Sequence, residues 1–342
     1  MNLSYRTRRA LARMGKGLIA LALVGVIIWL CWIIWVARYI MYDREYGAKL
    51  DFNLGNFPDG VLAVPPTDGI DVDIYYNEPT IDIPPSIVEK TSIHGYYIDF
   101  TDLKTDISAV QSKLETLPSG TAVMLDVKSI KGFFHYSTSV GTTTSKDVDI
   151  AKMDALIAYL ANSDLYTIAR IPAFRDWEYG LHHVPSGLPK KGGNGSLWMD
   201  DSNCYWLDPT DEKALNYLLR ITVELRSLGF DEVVYSDFRF PNTDKIIFEG
   251  DKTQAITDAA ATLASACTTD RFCVSFMSSS PTFQLPAGNC RVYLQDVAAS
   301  DVETVAQQVP TNDPKLHVLF MTTVNDTRFN DYCVLRPLDS AH

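Results

Sequence analysis

Asp126, Lys128, Arg170, Ser236, Asp237 and Arg239 are the residues whose types and placement suit chemistry. They stand at the ends of β-branched or aromatic runs: Ala122 to Lys128, Tyr166 to Ile171, and Gly229 to Pro241, which reads Gly-Phe-Asp-Glu-Val-Val-Tyr-Ser-Asp-Phe-Arg-Phe-Pro. In α/β barrels the C-terminal ends of the strands carry the reactive groups. Two carboxyl groups across a cleft suit glycosidic hydrolysis, where one protonates the leaving oxygen and the other attacks or activates water. Asp126 and Asp237 are the candidate pair, on the second and fourth strands. With strands about 4.8 Å apart, two steps separate their backbones by roughly 9 to 10 Å, which suits inversion better than retention. The competing reading of both is a strand-end cap or an ion-pair partner.

Asp126 and Lys128 share a strand face by the period of two, and Arg170 ends the neighbouring strand. The trio suits a sugar hydroxyl or an acidic substituent, or else a buried charge network that keeps the barrel mouth ordered. Trp198 and Trp206, with Asp200 between them, suit a sugar platform, since flat aromatic faces stack on pyranose rings and acids bind hydroxyls. The other reading is that the tryptophans pin their loop, and Trp206, just before a helix start, fits that better. His182-His183 has no partner at ligand spacing and reads as a solvated loop pair, so no metal is expected. Neither a Gly-x-Ser-x-Gly elbow nor a phosphate-cradling glycine loop occurs, and no cofactor is expected.

These residues need a scaffold, and from Ile93 onward strand and helix signals alternate. Strands are expected at Tyr96 to Phe100, 122–128, 166–171, 229–241, 271–277, 290–296, 316–322 and 333–338. Ile107, Val110, Leu114 and Leu117 recur at helical spacing, as do Ile150, Met153, Ile157 and Leu160. Asp208-Pro209 predicts a helix start, and so does Ser300 with Glu303 three residues on. Pro172 to Leu207 is too long for a connector and reads as a binding loop. Eight strands with intervening helices predict an α/β fold, a (β/α)8 TIM barrel over 93–338, cramped between its fifth and sixth strands.

The chain ahead of the barrel has a different composition. Leu18 to Ala37 carries no charge, and twenty helical residues span about 30 Å, so a transmembrane helix is expected over 18–37. Five basic residues precede it in a tail over 1–17, and aromatic residues crowd its far end. The expected topology is therefore a single-pass anchor in the lipid bilayer, with the N-terminus cytoplasmic and the barrel extracytoplasmic. Residues 43–92 hold Pro58, Pro65, Pro66, Pro79, Pro84 and Pro85 among acidic residues, the composition of an extended linker. Six of the 30 Lys and Arg lie in residues 1–42, which have no acidic residue; the remaining 300 carry 24 against 42 Asp and Glu, a net of −18. Such a body repels a phosphate backbone, and no nucleic acid partner is expected. Beyond Cys31, five cysteines leave either one or two disulfides or buried thiols open.

The run Leu125-Asp-Val-Lys128 … Gly132, Ile168-Ala-Arg170 … Phe174-Arg-Asp176 … Gly195-Ser-Leu-Trp198 … Trp206-Leu-Asp-Pro209 … Gly229-Phe-Asp-Glu232 … Arg239-Phe-Pro241 resembles the putative glycosyl hydrolase domain family, a group of TIM-barrel proteins related to glycoside hydrolases. The resemblance implies an extracytoplasmic barrel acting on an envelope or extracellular polysaccharide. Two stretches depart from the family's pattern. Its acidic run is Ser129-Ile-Lys131 here, and its fourth-strand carboxylate falls on Ser236, with Asp237 one position later. A one-residue shift predicts that Asp237 turns away from the cleft, leaving Asp99 or Asp296 as substitute acids. A non-catalytic glycan-binding or envelope scaffold protein is the alternative function.

Overall fold

The computed structural model describes Trp29, residues 40–43 and 47–50, and residues 92–340 apart from 142, 270, 279–282 and 287–289. Two compact units divide the chain, residues 1–82 and 83–342. In the first, Ile40–Asp43 and Gly47–Leu50 pair antiparallel, Ile40 opposite Leu50. The anchor expected over 18–37 lies outside the described residues save Trp29, as do the basic tail and, apart from the second hairpin strand, nearly all of the 43–92 linker. Among the described residues no helix is long and apolar enough to cross a membrane.

The second unit is a closed barrel of eight parallel strands: β1 (His94–Ile98), β2 (Ala122–Asp126), β3 (Tyr166–Pro172), β4 (Glu232–Ser236), β5 (Cys273–Met277), β6 (Val292–Gln295), β7 (Val318–Met321) and β8 (Cys333–Pro337). They pair in sequence order, and β8 closes on β1. The helices are α1 (Phe100–Leu114), α2 (Ile150–Ala161), α3 (Trp177–His182), α4 (Glu212–Ser227), α5 (Lys252–Cys267), α6 (Val302–Gln308) and α7 (Pro314–His317). Between β5 and β6 no helix occurs among the described residues.

Alternation along each strand sorts the core. Met124, Ile168, Val234, Tyr293, Leu319, Met321 and Leu335 fill the interior, while neighbours in sequence such as Leu125, Ala169 and Val233 pack outward under the helices. Helix starts are set by aspartates. Asp99, Asp149, Asp176, Asp211 and Asp251 each accept from a backbone N–H of the first turn, satisfying donors that have no partner within the helix. Two expected starts move. Asp208 accepts from the Thr210 N–H at 2.9 Å and hydroxyl at 2.7 Å, a local turn, and α4 begins after Asp211 instead. Ser300 lies in a 3-10 turn, Ala299–Asp301, with its hydroxyl on the Asp301 carboxylate, and α6 begins at Val302. Gly229 (φ +97°) ends α4 before β4; a Cβ there would meet the Ala161 Cβ at 2.5 Å.

A charge network closes the N-terminal end of the barrel. Glu232, the first residue of β4, is fully buried, and its carboxylate accepts from Tyr166 Oη (2.8 Å), Tyr293 Oη (2.9 Å) and Arg291 Nη1 (2.7 Å). Cys204, Cys267, Cys273 and Cys333 are buried free thiols, and Cys290 is buried too.

Candidate functional site

At the C-terminal end the strands open into a cleft of about 520 Å³ whose lining includes Asp126, Lys128, His135, Arg170, Ser236, Asp237, Arg239 and Asp296. Parallel register sets Asp126 beside Arg170. Both oxygens of Asp126 accept from the guanidinium, Oδ2 from Nη2 at 2.6 Å and Oδ1 from Nε. Burial alone would lower the Arg170 pKa, but the carboxylate of Asp126 outweighs it and holds the guanidinium above its usual value. A carboxylate gripped at both oxygens is oriented but has little freedom to donate a proton or attack.

Lys128 does not join this pair. β2 ends at Asp126, and Lys128 Nζ reaches Asp176 Oδ2 at 2.5 Å, with both side chains at 0% exposure. Tyr217 Oη also donates to that oxygen, at 3.2 Å, and the Lys128 ammonium lies over the Phe134 and Tyr217 rings. This pair joins the cleft wall to the start of α3.

Asp237 lies in the cleft wall, contrary to the expectation that a one-residue shift would turn it to the outer layer. Alternation ends with the strand at Ser236, and Asp237 has φ +50°, a left-handed turn that carries the next side chain back to the opening. Ser236 and Asp237 therefore line the same cleft, and the Ser236 hydroxyl donates to the Ile171 carbonyl at 3.3 Å. Burial raises the Asp237 pKa above the usual carboxylate range, against the opposing pull of Arg175 and Arg239, each 4.0 Å from the carboxylate. Asp296, just past β6, repeats the geometry with φ +58° and is exposed in the cleft. Asp99 caps α1 and does not line the cleft.

The long loop is braced from within. Asp200 accepts from Arg175 Nε (2.6 Å), Trp206 Nε1 (3.0 Å) and the backbone N–H groups of Ser202 (2.9 Å) and Cys204 (3.0 Å). Burial works to raise its pKa, but these hydrogen bonds prevail and hold it below the usual range. Trp206 is buried, with the Arg239 guanidinium 5.1 Å from its ring centroid, and Trp198 packs 6.5 Å away. Neither tryptophan nor Asp200 lines the cleft; they support Arg175 and Arg239, which flank Asp237. His182 and His183 are exposed, His183 stacked on Tyr179 at 4.0 Å, and no group of side chains that could hold a metal occurs among the described residues.

His135 is the residue that sequence reasoning missed. It is buried at the cleft, and its Nδ1–H donates to the Asp126 carbonyl at 2.8 Å, leaving Nε2 as the acceptor. Burial lowers its pKa, so the ring is neutral near pH 7. The polar loop that carries it gives no periodic signal; only its position after the second strand could have drawn notice.

The solved structures to which the chain is similar include a hypothetical protein from Ruminiclostridium thermocellum (20% identity, TM-score 0.45, 53% of this chain and 96% of that one). The glycoside hydrolase domain of PelA from Pseudomonas aeruginosa matches at 14% identity and TM-score 0.43, over 73% of this chain and 96% of that one. An alpha-galactosidase from Lactobacillus brevis matches at 13% identity and TM-score 0.47, over 73% of this chain and 38% of that one. Among curated proteins nothing matches. The family model described as putative glycosyl hydrolase domain matches residues 97–273, more than half of the sequence, and the chain belongs to that family.

Proposed function

We propose that this glycoside-hydrolase-like barrel hydrolyses an envelope or extracellular polysaccharide, with Asp237 as proton donor and Asp296 as the ionised partner. One observation carries the assignment: of the three acids lining the cleft, Asp126 is held at both oxygens by Arg170, whereas Asp237 and Asp296 have no such clamp. Burial holds the Asp237 proton to higher pH, the requirement for a general acid. Exposed Asp296 suits the role that needs charge and access to water. Two strand steps separate β4 from β6, roughly 9 to 10 Å between backbones, which suits an inverting reaction. Asp126 with Arg170 positions the cleft floor, and Ser236 and Arg239 face the sugar; Lys128 acts through its buried pair with Asp176, and Trp198, Asp200 and Trp206 through the loop that holds Arg175 and Arg239.

The test is release of reducing ends from a polysaccharide panel. Asp237→Asn should lower turnover by about 10²- to 10⁴-fold. Asp237→Asn and Asp296→Asn proteins as active as the wild type would remove this mechanism. A second reading is favoured by the two guanidinium groups 4.0 Å from Asp237, which support its charged form: a non-catalytic glycan-binding or scaffold barrel. It is distinguished by polysaccharide binding without product release.

The apolar, charge-free run 18–37 supports a single-pass anchor with the barrel outside the membrane. Protease added to intact cells should then degrade the barrel, and a protected barrel would refute this topology.

A further inference from the structure

Among the described residues three cationic side chains line the cleft, and two of them are matched by acids of this chain. Arg170 is clamped to both oxygens of Asp126, and the Lys128 ammonium is buried against Asp176 at 2.5 Å. Arg239 is left unmatched. Its nearest carboxylate, that of Asp237, lies 4.0 Å from Nη2, beyond hydrogen-bond reach, and carries a proton in the proposed mechanism. The single side-chain hydrogen bond of Arg239 among the described residues runs from Nη1 to the Phe240 carbonyl at 3.2 Å, so Nε and Nη2 keep free donors. A ligand in the cleft can reach them, since the side chain is 42% exposed and neither nitrogen is buried. The group is also held in place. Phe238 and Phe240 on either side are buried, and the guanidinium lies over the Trp206 ring, 5.1 Å from its centroid. Stacking covers a face of the guanidinium plane, and what the cleft is offered is the in-plane N–H groups.

We infer that Arg239 selects a carboxylated sugar, a uronic acid unit beside the scissile bond, so that the substrate is an acidic polysaccharide; this rests on the proposed function of the cleft. A planar carboxylate meets in-plane guanidinium donors at two points, the match that Arg170 makes with Asp126 and Arg328 with Asp326 at 2.9 and 2.7 Å. The charge balance agrees. Arg175 is paired with Asp200 at 2.6 Å, so with Asp237 protonated the unmatched positive charge on the β4 side of the cleft is that of Arg239. Asp296 stands two strands away, roughly 9 to 10 Å, about one Debye length at physiological salt. An acidic substrate would also hold the proton on its own general acid. Burial raises the Asp237 pKa, Arg175, Arg239 and Arg170 pull it down, and Asp200 pushes it up. A carboxylate on Arg239 offsets one of the opposing charges, so substrate binding and protonation of Asp237 favour each other.

The test is a titration of the full chain, at constant ionic strength, with the methyl glycosides of glucuronic and galacturonic acid and with the matched glycosides of glucose and galactose. It is followed by NMR at the Arg239 Nε–H and the Asp237 carboxyl carbon. A uronate should bind saturably and about tenfold or more tightly than its neutral match, and the Asp237 pKa should move up as it binds. Arg239→Lys, which keeps the charge without the planar edge, should show a smaller preference, and Arg239→Gln should bind acidic and neutral sugars alike. No saturable response to either uronate, neutral sugars bound as tightly as the uronates, or an acid preference that survives in Arg239→Gln overturns the inference. The methyl glycoside of galactose 6-sulfate forms a parallel arm, and its binding with both uronates silent overturns the carboxylate assignment. If Arg239→Gln does not fold, the wild-type comparison of acidic with neutral sugars decides alone. The two readings of the cleft fail separately. A wild type that prefers uronates but releases reducing ends from no polysaccharide refutes hydrolysis and leaves the selectivity, whereas release from neutral polysaccharides alone refutes the selectivity and leaves hydrolysis.

Discussion

Both ends of the barrel set acids beside arginines, and Glu232 at one end and Asp237 at the other are treated oppositely. At the N-terminal end Glu232 is fully buried and accepts from two tyrosines and Arg291 at 2.7 to 2.9 Å. At the C-terminal end Asp237 has its two cations at 4.0 Å, and its carboxyl pKa is raised by burial. A satisfied carboxylate is inert and stabilises the fold, whereas one left short of donors is poised for chemistry. The contrast is the division of labour expected of this architecture, stability below and reaction above.

Three substitutions would break or sharpen that contrast. The largest effect belongs to the closed end: Glu232→Ala leaves Arg291 buried without its anion and should cost about 3–5 kcal/mol in denaturant unfolding. An unfolding midpoint equal to the wild type would mean that the network contributes nothing. Next is the loop that braces the cleft. Asp200→Asn weakens four hydrogen bonds to a charged acceptor, a loss of about 1.5–3 kcal/mol at pH 7. Because the folded-state pKa of Asp200 is lowered, its contribution is present above the unfolded carboxylate value and is lost as pH falls through the folded value. The penalty should therefore shrink in acid, and a penalty independent of pH would refute that origin. The smallest effect has the opposite sign. Asp237 has a raised folded pKa, so its contribution is favourable below the unfolded carboxylate value and is lost as pH rises through the folded one. Asp237→Asn should stabilise the protein at pH 7 by less than about 1 kcal/mol, with the gain absent in acid. Melting scans at the two pH values check it, and destabilisation at pH 7 would place Asp237 with the structural acids.

Much of this scaffold was legible in the sequence because strands and helices announce themselves by local period. The run Val233-Val-Tyr235 could be little else than a strand, and Leu218, Ile221 and Leu225 bury one face of α4 as their spacing requires. The cleft was less legible, for three physical reasons. Lys128 finds Asp176 48 positions away, a pairing no local pattern encodes. Alternation, which served well inside β4, was carried one residue past the strand's end, where the left-handed turn at Asp237 cancels it. His135 sits in a loop without periodicity, and only the folded contact with the Asp126 carbonyl gives it a place. Helix starts failed more mildly: Asp208 and Asp211 are both good caps, and three-dimensional context chose the second.

The left-handed backbone at two of the three cleft acids, Asp237 and Asp296, narrows what their positions accept. Four non-glycine residues with positive φ occur among the described residues: Asn194, Asn203, Asp237 and Asp296. Aspartate, asparagine and glycine tolerate that conformation, and most other residues meet a steric cost of roughly 1–2 kcal/mol. Glutamate, the usual conservative exchange for aspartate, is then the disfavoured one, and asparagine the easy one. These sites can lose their acid by a single tolerated step to asparagine, but they cannot lengthen it cheaply, so the reach of the acids into the cleft is set by the backbone as much as by the side chain.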